Sequence, residues 1–239
     1  MIGLAKIWHG FELVDTKWFP EINYDKCSNC GMCLLACGNK VFLYSENENK
    51  FIVGNPYNCV LGCTTCAKIC PEDAISFPDD PKKFVLSLLM KYKIYPKVRE
   101  ELNERLQKYP DHEKNANDSQ VNIEPKKEFS IWHGMDRKEI KWYPSIDMNK
   151  CTGCGLCVVT CSEKRNVFGY DRAMKKAFVL NPTNCMVGCN NCQVSCVWNA
   201  ISFPDFSLVK NLVKNVLEIN RELIKEEIIE KIKQQGLKV

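Results

Sequence analysis

The stretch CSNCGMCLLAC, residues 27–37, places four cysteines within eleven residues. The pattern returns as CTGCGLCVVTC at residues 151–161. Thiols at this density serve in disulfide frameworks, in structural zinc sites or as ligands of iron-sulfur clusters. The rest of the sequence is needed to choose among these three uses.

A second type of cysteine run follows each of these stretches. It reads CVLGCTTCAKIC at residues 59–70 and CMVGCNNCQVSC at residues 185–196, and AISFPD comes shortly after both. The chain therefore contains one eight-cysteine unit twice, and the two copies hold all sixteen cysteines. We term the copies the first repeat (residues 18–79) and the second repeat (residues 142–205).

The N-terminal sequence MIGLAKIWHGFELVD lacks the apolar core and the small-residue cleavage site of a secretory signal peptide. No apolar stretch of the sequence is long enough to span a bilayer. We therefore expect a soluble, cytoplasmic protein. In that reducing compartment, dense cysteines are more often metal ligands than disulfides.

Hydrophobic patterning predicts an α+β chain. Apolar residues at helical spacing follow each repeat, and short strands are expected at residues 41–44, 51–53, 75–77 and 142–146. The polar composition after residue 110 is typical of a flexible linker. The predicted parts are a first cysteine module (1–80), a helical appendage broken at Pro96 (81–110), the linker (111–130), a second cysteine module (131–205) and a C-terminal amphipathic helix (206–239).

The cysteine spacing favours iron-sulfur clusters without settling the question alone. Three cysteines spaced Cys-x2-Cys-x2-Cys can ligate three irons of a cuboidal cluster, and the fourth iron then needs a ligand from elsewhere. The run Cys59-x3-Cys63-x2-Cys66 also fits a radical-SAM-type enzyme, but a fourth cysteine and a complete partner run in each repeat disfavour it. A zinc-stabilised binding module stays open, because any four cysteines can bind zinc.

Each repeat resembles a bacterial-type ferredoxin with two [4Fe-4S] clusters, so the chain is similar to a tandemly duplicated, polyferredoxin-like protein. The resemblance implies a compact βαββαβ fold for each module, followed here by a helical appendage. Two features depart from the family pattern. The second runs contain Cys-x3-Cys, one residue longer than the commonest spacing, and Val197 replaces the proline that is present as Pro71.

In that family the fourth cysteine of each run ligates the other cluster. Gly31 and Gly155 follow the second cysteine of their runs and are expected to let backbone N–H groups approach cluster sulfur. The resemblance implies four [4Fe-4S] clusters held by four cysteine sets: Cys27, Cys30, Cys33 and Cys70; Cys37, Cys59, Cys63 and Cys66; Cys151, Cys154, Cys157 and Cys196; Cys161, Cys185, Cys189 and Cys192.

The function implied by the resemblance is low-potential, one-electron transfer between donor and acceptor oxidoreductases in anaerobic metabolism. The chain would act as a free carrier or as an electron-transfer subunit, and its helical appendages could form a homodimer or a complex. No catalytic residue is predicted, since the sequence has no GxGxxG motif, no P-loop and no Cys-x2-Cys-His haem site.

The formal net charge of +4 does not indicate nucleic-acid binding. An oxidised [4Fe-4S] core with four thiolates contributes about −2, so four such sites reverse the sign of the net charge. Acidic residues outnumber basic ones in residues 1–79, whereas basic residues outnumber acidic ones in residues 132–205. Because negative surroundings oppose reduction, the first module is predicted to have the lower mean potential.

Two further features invite a functional interpretation. Trp8-His9-Gly10 recurs as Trp132-His133-Gly134, and a histidine beside a cluster can couple protonation to electron transfer. The simpler interpretation, which we adopt, is a tight turn that packs its tryptophan on the module. Trp198, which occupies the position of Glu72, is expected to shield a cluster or to pack in the core.

Overall fold

The computed structural model describes residues 6–13, 16–113 and 122–236 and shows a mixed fold of short strands and helices. Within these ranges the strands form six two-stranded antiparallel sheets. The expected α+β class is confirmed.

The first half of the chain contains ten of these elements. They are β1 (Lys6–Trp8), β2 (Phe11–Leu13), β3 (Glu21–Ile22), α1 (Met32–Ala36), β4 (Phe42–Ser45), β5 (Lys50–Val53), α2 (Thr65–Lys68), β6 (Ile75–Ser76), α3 (Pro81–Tyr92) and α4 (Tyr95–Lys108). In the first repeat β3 pairs with β6, and β4 and β5 form a hairpin between them. The cysteines lie in the short helices and in the connections that these strand pairs frame.

The second half has the same order of elements. They are β7 (Ile131–Trp132), β8 (Met135–Asp136), β9 (Ser145–Ile146), α5 (Leu156–Thr160), β10 (Phe168–Asp171), β11 (Lys176–Val179), α6 (Asn191–Ser195), β12 (Ile201–Ser202), α7 (Phe206–Ile219) and α8 (Arg221–Lys233). β9 pairs with β12, and β10 with β11. The strand predicted at residues 142–146 is shorter than expected, because Pro144 has no N–H for a ladder and the Trp142 N–H is bonded to Ile140 O.

The Trp-His-Gly motifs form the tight turns that were expected. His9 and Gly10 have positive φ angles at the tip of the β1–β2 hairpin, and His133 and Gly134 do so between β7 and β8. Each imidazole binds a carboxylate of a following helix at 2.5 Å, His9 Nδ1 to Glu101 and His133 Nδ1 to Glu227. These contacts tie the turns to the helical appendages, which is a structural role.

The helices after each repeat differ from the prediction in where they break. The first appendage breaks at Lys93, whose φ of 48° is left-handed, and not at Pro96. Pro96 is the second residue of α4, where a missing N–H costs no helical hydrogen bond. The single C-terminal helix predicted for residues 206–239 is wrong, because the chain turns at Asn220 and forms α7 and α8.

The predicted flexible linker, residues 111–130, lies partly outside the described residues, at 114–121. Its described C-terminal part is fixed to the second repeat. Asn122 N donates to Leu180 O at 3.0 Å, and Lys126 N donates to Asn184 Oδ1 at 2.8 Å. From residue 122 to 130 the prediction of a flexible linker is therefore wrong.

Each helical appendage packs on the repeat that it does not directly follow in the chain. Helix α4, which follows the first repeat, packs on α5 of the second, and α8, which follows the second repeat, packs on α1 of the first. The contacts are close: a Cβ at Gly155 would lie 2.6 Å from Leu102 of α4, and a Cβ at Gly31 would lie 2.5 Å from Ile228 of α8. Each repeat is therefore covered by the appendage of the other.

Polar contacts and a shared core accompany this exchange. Lys82 Nζ of α3 donates to Cys196 O at 2.8 Å, and Lys210 of α7 forms an ion pair with Asp73 at 2.5 Å. Met32 and Ile69 of the first repeat belong to the same buried cluster as Trp142 of the second. The two repeats thus pack together in one body.

Candidate functional site

Two cavities at the strand ends are each lined by four cysteines. Each cavity contains the first three cysteines of the first run and the last cysteine of the second run of its repeat. We term these sets the first outer site, Cys27, Cys30, Cys33 and Cys70, and the second outer site, Cys151, Cys154, Cys157 and Cys196. In both cavities the four thiols come from both runs of a single repeat.

The other eight cysteines form two further sets. A cavity is lined by the first inner site, Cys37, Cys59, Cys63 and Cys66. The remaining thiols lie close enough to influence one another electrostatically: burial first, then the charges of the other members, raise the pKa of the Cys192 thiol. We term this group the second inner site, Cys161, Cys185, Cys189 and Cys192. Three of the four sets that the resemblance implied thus line one cavity each, and the fourth is defined by the mutual electrostatic influence of its thiols.

Short helices place the first cysteine runs. Gly31 and Gly155 precede α1 and α5 with left-handed backbone angles. The backbone N–H of Met32 interacts with the thiol of Cys30 and opposes the rise in its pKa that burial causes. The N–H of Leu156 acts in the same way on the pKa of Cys154.

The last cysteine of each repeat also receives a backbone donor. Ala74 N donates to Cys70 Sγ at 3.3 Å, and Ala200 N donates to Cys196 Sγ at 3.3 Å. Both donors are the alanine of the AISFPD motif. The geometry at Cys196 is therefore the same as at Cys70, although Val197 replaces proline there. Such N–H groups stabilise negative charge on sulfur, which fits thiolate ligands.

Burial controls the protonation of these thiols. It raises the pKa of Cys66 in the first inner site, and that of Cys157 in the second outer site, far above the ordinary value for a thiol. Burial, followed by the charge of Cys63, raises the pKa of Cys189 to about 12. Because a metal binds the thiolate, filling these sites must release the protons that the empty sites retain at neutral pH.

Two buried tryptophans fix the loops of the inner sites. Trp18 Nε1 donates to Cys63 O at 3.2 Å, and Trp142 Nε1 donates to Cys189 O at 3.1 Å. The indole rings stack on Phe77 and Phe203, the phenylalanines of the AISFPD motifs. Both tryptophans recur at matching positions in the repeats, but that pattern alone did not reveal their contact with a cysteine.

Positive charge surrounds the second inner site. Arg137 is 2% exposed and donates to the carbonyl oxygen of Cys185 through Nε (3.2 Å) and Nη2 (2.9 Å). Arg165 lies among the thiols of this site, whose charges oppose the lowering of its pKa by burial. Arg105 Nη1, from the first appendage, donates to Cys161 O at 2.6 Å. None of these three arginines was predicted from the sequence.

The first inner site lacks the most buried of these charges. The position that corresponds to Arg137, offset by 124 residues, is Leu13, a buried apolar residue. Arg137 could have been identified from the sequence, because it places a charge where the first half of the chain has an apolar residue. The difference makes the two inner sites electrostatically unequal.

The two outer sites differ at their surfaces. Trp198 lines the second outer cavity but is 53% exposed, so it covers that site only in part. Its counterpart Glu72 is an exposed carboxylate. Of the two roles expected for Trp198, shielding fits its position at the cavity, whereas packing in the core is wrong.

Two kinds of feature are absent from the described ranges. No helix there combines the length and the apolar character needed to cross a membrane. In the same residues, no group of three or more His, Cys, Asp or Glu side chains has the arrangement for a single metal ion.

The chain matches known iron-sulfur proteins. A 4Fe-4S dicluster domain matches residues 26–84, and a 4Fe-4S binding domain matches residues 143–168. An uncharacterised ferredoxin of Methanocaldococcus jannaschii is 37% identical over 73 residues, which are 30% of this chain and 48% of that protein. Ferredoxin-3 of a Nostoc species is 33% identical over 89 residues, 30% of this chain and 91% of that protein.

A third relative is the iron-sulfur cluster-binding subunit of a menaquinone reductase from Nitratidesulfovibrio vulgaris. It is 44% identical over 43 residues, which are 18% of this chain and 17% of that protein. The family matches and the four-thiol cavities with their N–H donors define an iron-sulfur protein of the 4Fe-4S class. The chain belongs to the 4Fe-4S ferredoxin family.

Proposed function

We propose that this chain is a pair of tandem two-cluster ferredoxin modules, which carries four [4Fe-4S] clusters and transfers single electrons at low potential between redox proteins. The observation that supports this proposal best is the lining of the cavities. Three of them contain four cysteines each, and each set combines both cysteine runs of one repeat. This combination is the crossover that two-cluster ferredoxins use.

The sixteen cysteines would act as cluster ligands in the four sets defined above. When bound, a [4Fe-4S] cluster supplies a centre that accepts and releases one electron. The protein holds the thiolates in place, donates backbone N–H groups to sulfur and limits access of water to the inner sites. These are binding and electrostatic roles, and no side chain of the described residues is assigned to substrate chemistry.

The other two hypotheses fit the geometry less well. A radical-SAM-type site leaves one iron without a protein ligand, whereas each of the three cavities contains a fourth cysteine. A zinc ion would hold its four sulfurs about 3.8 Å apart, as follows from tetrahedral bonds of about 2.3 Å. In the described residues, no three His, Cys, Asp or Glu side chains are arranged to hold a single metal ion. The relative that is a subunit of a menaquinone reductase favours redox proteins as partners, with the chain as a carrier or a subunit.

The proposal is tested by counting iron, acid-labile sulfide and zinc per chain after strictly anaerobic purification without reconstitution. We expect about sixteen irons and about sixteen sulfides. Zinc without sulfide would overturn the electron-transfer function and leave a structural binding protein. A spectral change of a cluster on addition of S-adenosylmethionine would instead indicate the radical-SAM alternative.

The crossover assignment makes a separate prediction about Cys70. Cys70→Ala is expected to damage the first outer site, because its thiol would be the fourth ligand beside Cys27, Cys30 and Cys33. The signal of the first inner site should persist, although Cys70 belongs to the same run as Cys59, Cys63 and Cys66. EPR spectra of the reduced variant, with iron counts, distinguish the two sites.

Two matched variants serve as controls for this prediction. Cys196→Ala should produce the same damage in the second repeat, and Cys37→Ala should damage the first inner site instead. If Cys70→Ala abolished the inner-site signal and spared the outer one, the crossover assignment would be wrong.

A further inference from the structure

The longer Cys-x3-Cys loops meet at the interface between the repeats. Gly62 and Gly188 are the residues before Cys63 and Cys189, and their φ angles are +74° and +81°. A Cβ at Gly62 would lie 3.2 Å from Val194, which belongs to α6 of the second repeat. In the reciprocal contact, a Cβ at Gly188 would lie 3.0 Å from Ile69 of the first repeat.

These loops place both inner sites beside the interface. The cavity of the first inner site is completed by Met186 and Asn191, which belong to the second repeat. Met186 lies in the Cys-x3-Cys loop of the second inner site itself. The outer cavities, in contrast, are lined by residues of a single repeat.

Glycine is required at both positions for two reasons. Its φ angle lies in the left-handed region, which other residues rarely adopt. Its missing side chain also leaves room for both neighbours of the loop, since a Cβ at Gly62 would lie 2.5 Å from Val85 of the first appendage and 3.2 Å from Val194 of the second repeat. Both Cys-x3-Cys loops therefore carry glycine at the point where they meet the interface.

We propose that Gly62 and Gly188 are positioning residues, which let the inner sites of the two repeats approach closely enough to exchange electrons inside one chain. In this exchange one electron leaves one inner site and reduces the other, with no transfer of atoms or protons. The inference rests on the proposed function, because only cysteine sets that hold clusters can exchange electrons. It adds that the two modules form one redox unit rather than two independent carriers.

The test uses the full chain, purified without oxygen, with both outer sites emptied by Cys27→Ala, Cys30→Ala, Cys151→Ala and Cys154→Ala. Iron and sulfide are counted first, with about eight of each expected from the two inner sites. After reduction with dithionite, EPR should show spin–spin interaction between two centres that persists on dilution. If this chain loses its iron, the outer sites are emptied instead by Cys70→Ala and Cys196→Ala alone, and the same comparison is made.

Glycine variants then test the positioning role. Gly62→Ala and Gly188→Ala are each expected to weaken the interaction at least twofold at unchanged iron content, with the larger effect at Gly62. Gly236→Ala is the matched control, because Gly236 has a φ of +84° but nothing within 4 Å of its Cβ position. It should leave the interaction unchanged. If Gly62→Ala does not fold, Gly188→Ala, whose contacts are looser, decides the question.

Three results would contradict one proposal or the other. If the chain with emptied outer sites holds its expected iron but shows no spin–spin interaction, the inference is overturned and the proposed function stays intact. An undiminished interaction in both glycine variants would overturn the role of the glycines. The absence of iron and sulfide from the unaltered chain would overturn the proposed function itself.

Discussion

Arg137→Met is expected to lower the free energy of unfolding by about 3–5 kcal/mol, because three buried carbonyls would each lose a donor at a cost of about 1–3 kcal/mol. The guanidinium is buried and donates to the backbone carbonyls of Cys185, Ile140 and Trp142. Methionine fills a similar volume but cannot donate, so these carbonyls would lose their partner. Urea unfolding under argon, followed by circular dichroism, measures the loss.

The same variant is expected to lower the reduction potential of the second inner site. Removing one positive charge near the thiolates makes the addition of an electron less favourable, by a shift on the order of tens of millivolts at an effective dielectric constant of ~20. A redox titration followed by EPR measures it. In the unaltered chain, the first module is predicted to have the lower mean reduction potential for the same electrostatic reason, since negative surroundings oppose reduction.

Leu13→Met is the matched control, because Leu13 occupies the corresponding position in the first half of the chain. Exchanges between leucine and methionine in a core cost less than about 1.5 kcal/mol, and this one changes no charge. A fall in stability without a shift in potential at the second inner site would leave Arg137 only a structural role.

Separating the two halves is expected to have the second large effect. A chain cut within residues 114–121 should yield halves that do not hold their clusters when each is expressed alone. The reason is the exchange of helices, since α8 covers α1, and α4 covers α5. The yield of soluble, iron-loaded protein should fall at least tenfold. As a change in a folding equilibrium constant, this corresponds to a free energy of about 1.4 kcal/mol or more. Iron content and gel filtration of each half provide the measurement.

Co-expression of both halves is the control for this experiment. The cut should be tolerated when the halves are present together, because the helices can then pack across as in the intact chain. Stable, iron-loaded halves obtained separately would show that each appendage can fold back on its own repeat.

The sequence was informative wherever the constraint was local. The resemblance carried by the cysteine runs implied four thiol sets, three of which line one cavity each, and the hairpin strands lie within two residues of their predicted positions. The partner of each appendage could not be predicted, because two similar repeats offer similar surfaces to either helix. Arg137 was missed for a related reason, since its burial and carbonyl partners result from tertiary packing.

The exchange of helices also determines when the first repeat can be completed during synthesis. The contact between Gly31, which precedes its cysteine helix α1, and Ile228 of α8 can form only after Ile228 is made. Ile228 is almost the last part of the described chain to be synthesised. At ribosomal rates of about 5–20 residues per second, the interval between Gly31 and Ile228 is about 10–40 s. Half of the thiols thus leave the ribosome well before their permanent cover, which gives cellular iron-sulfur delivery a window before the chain closes.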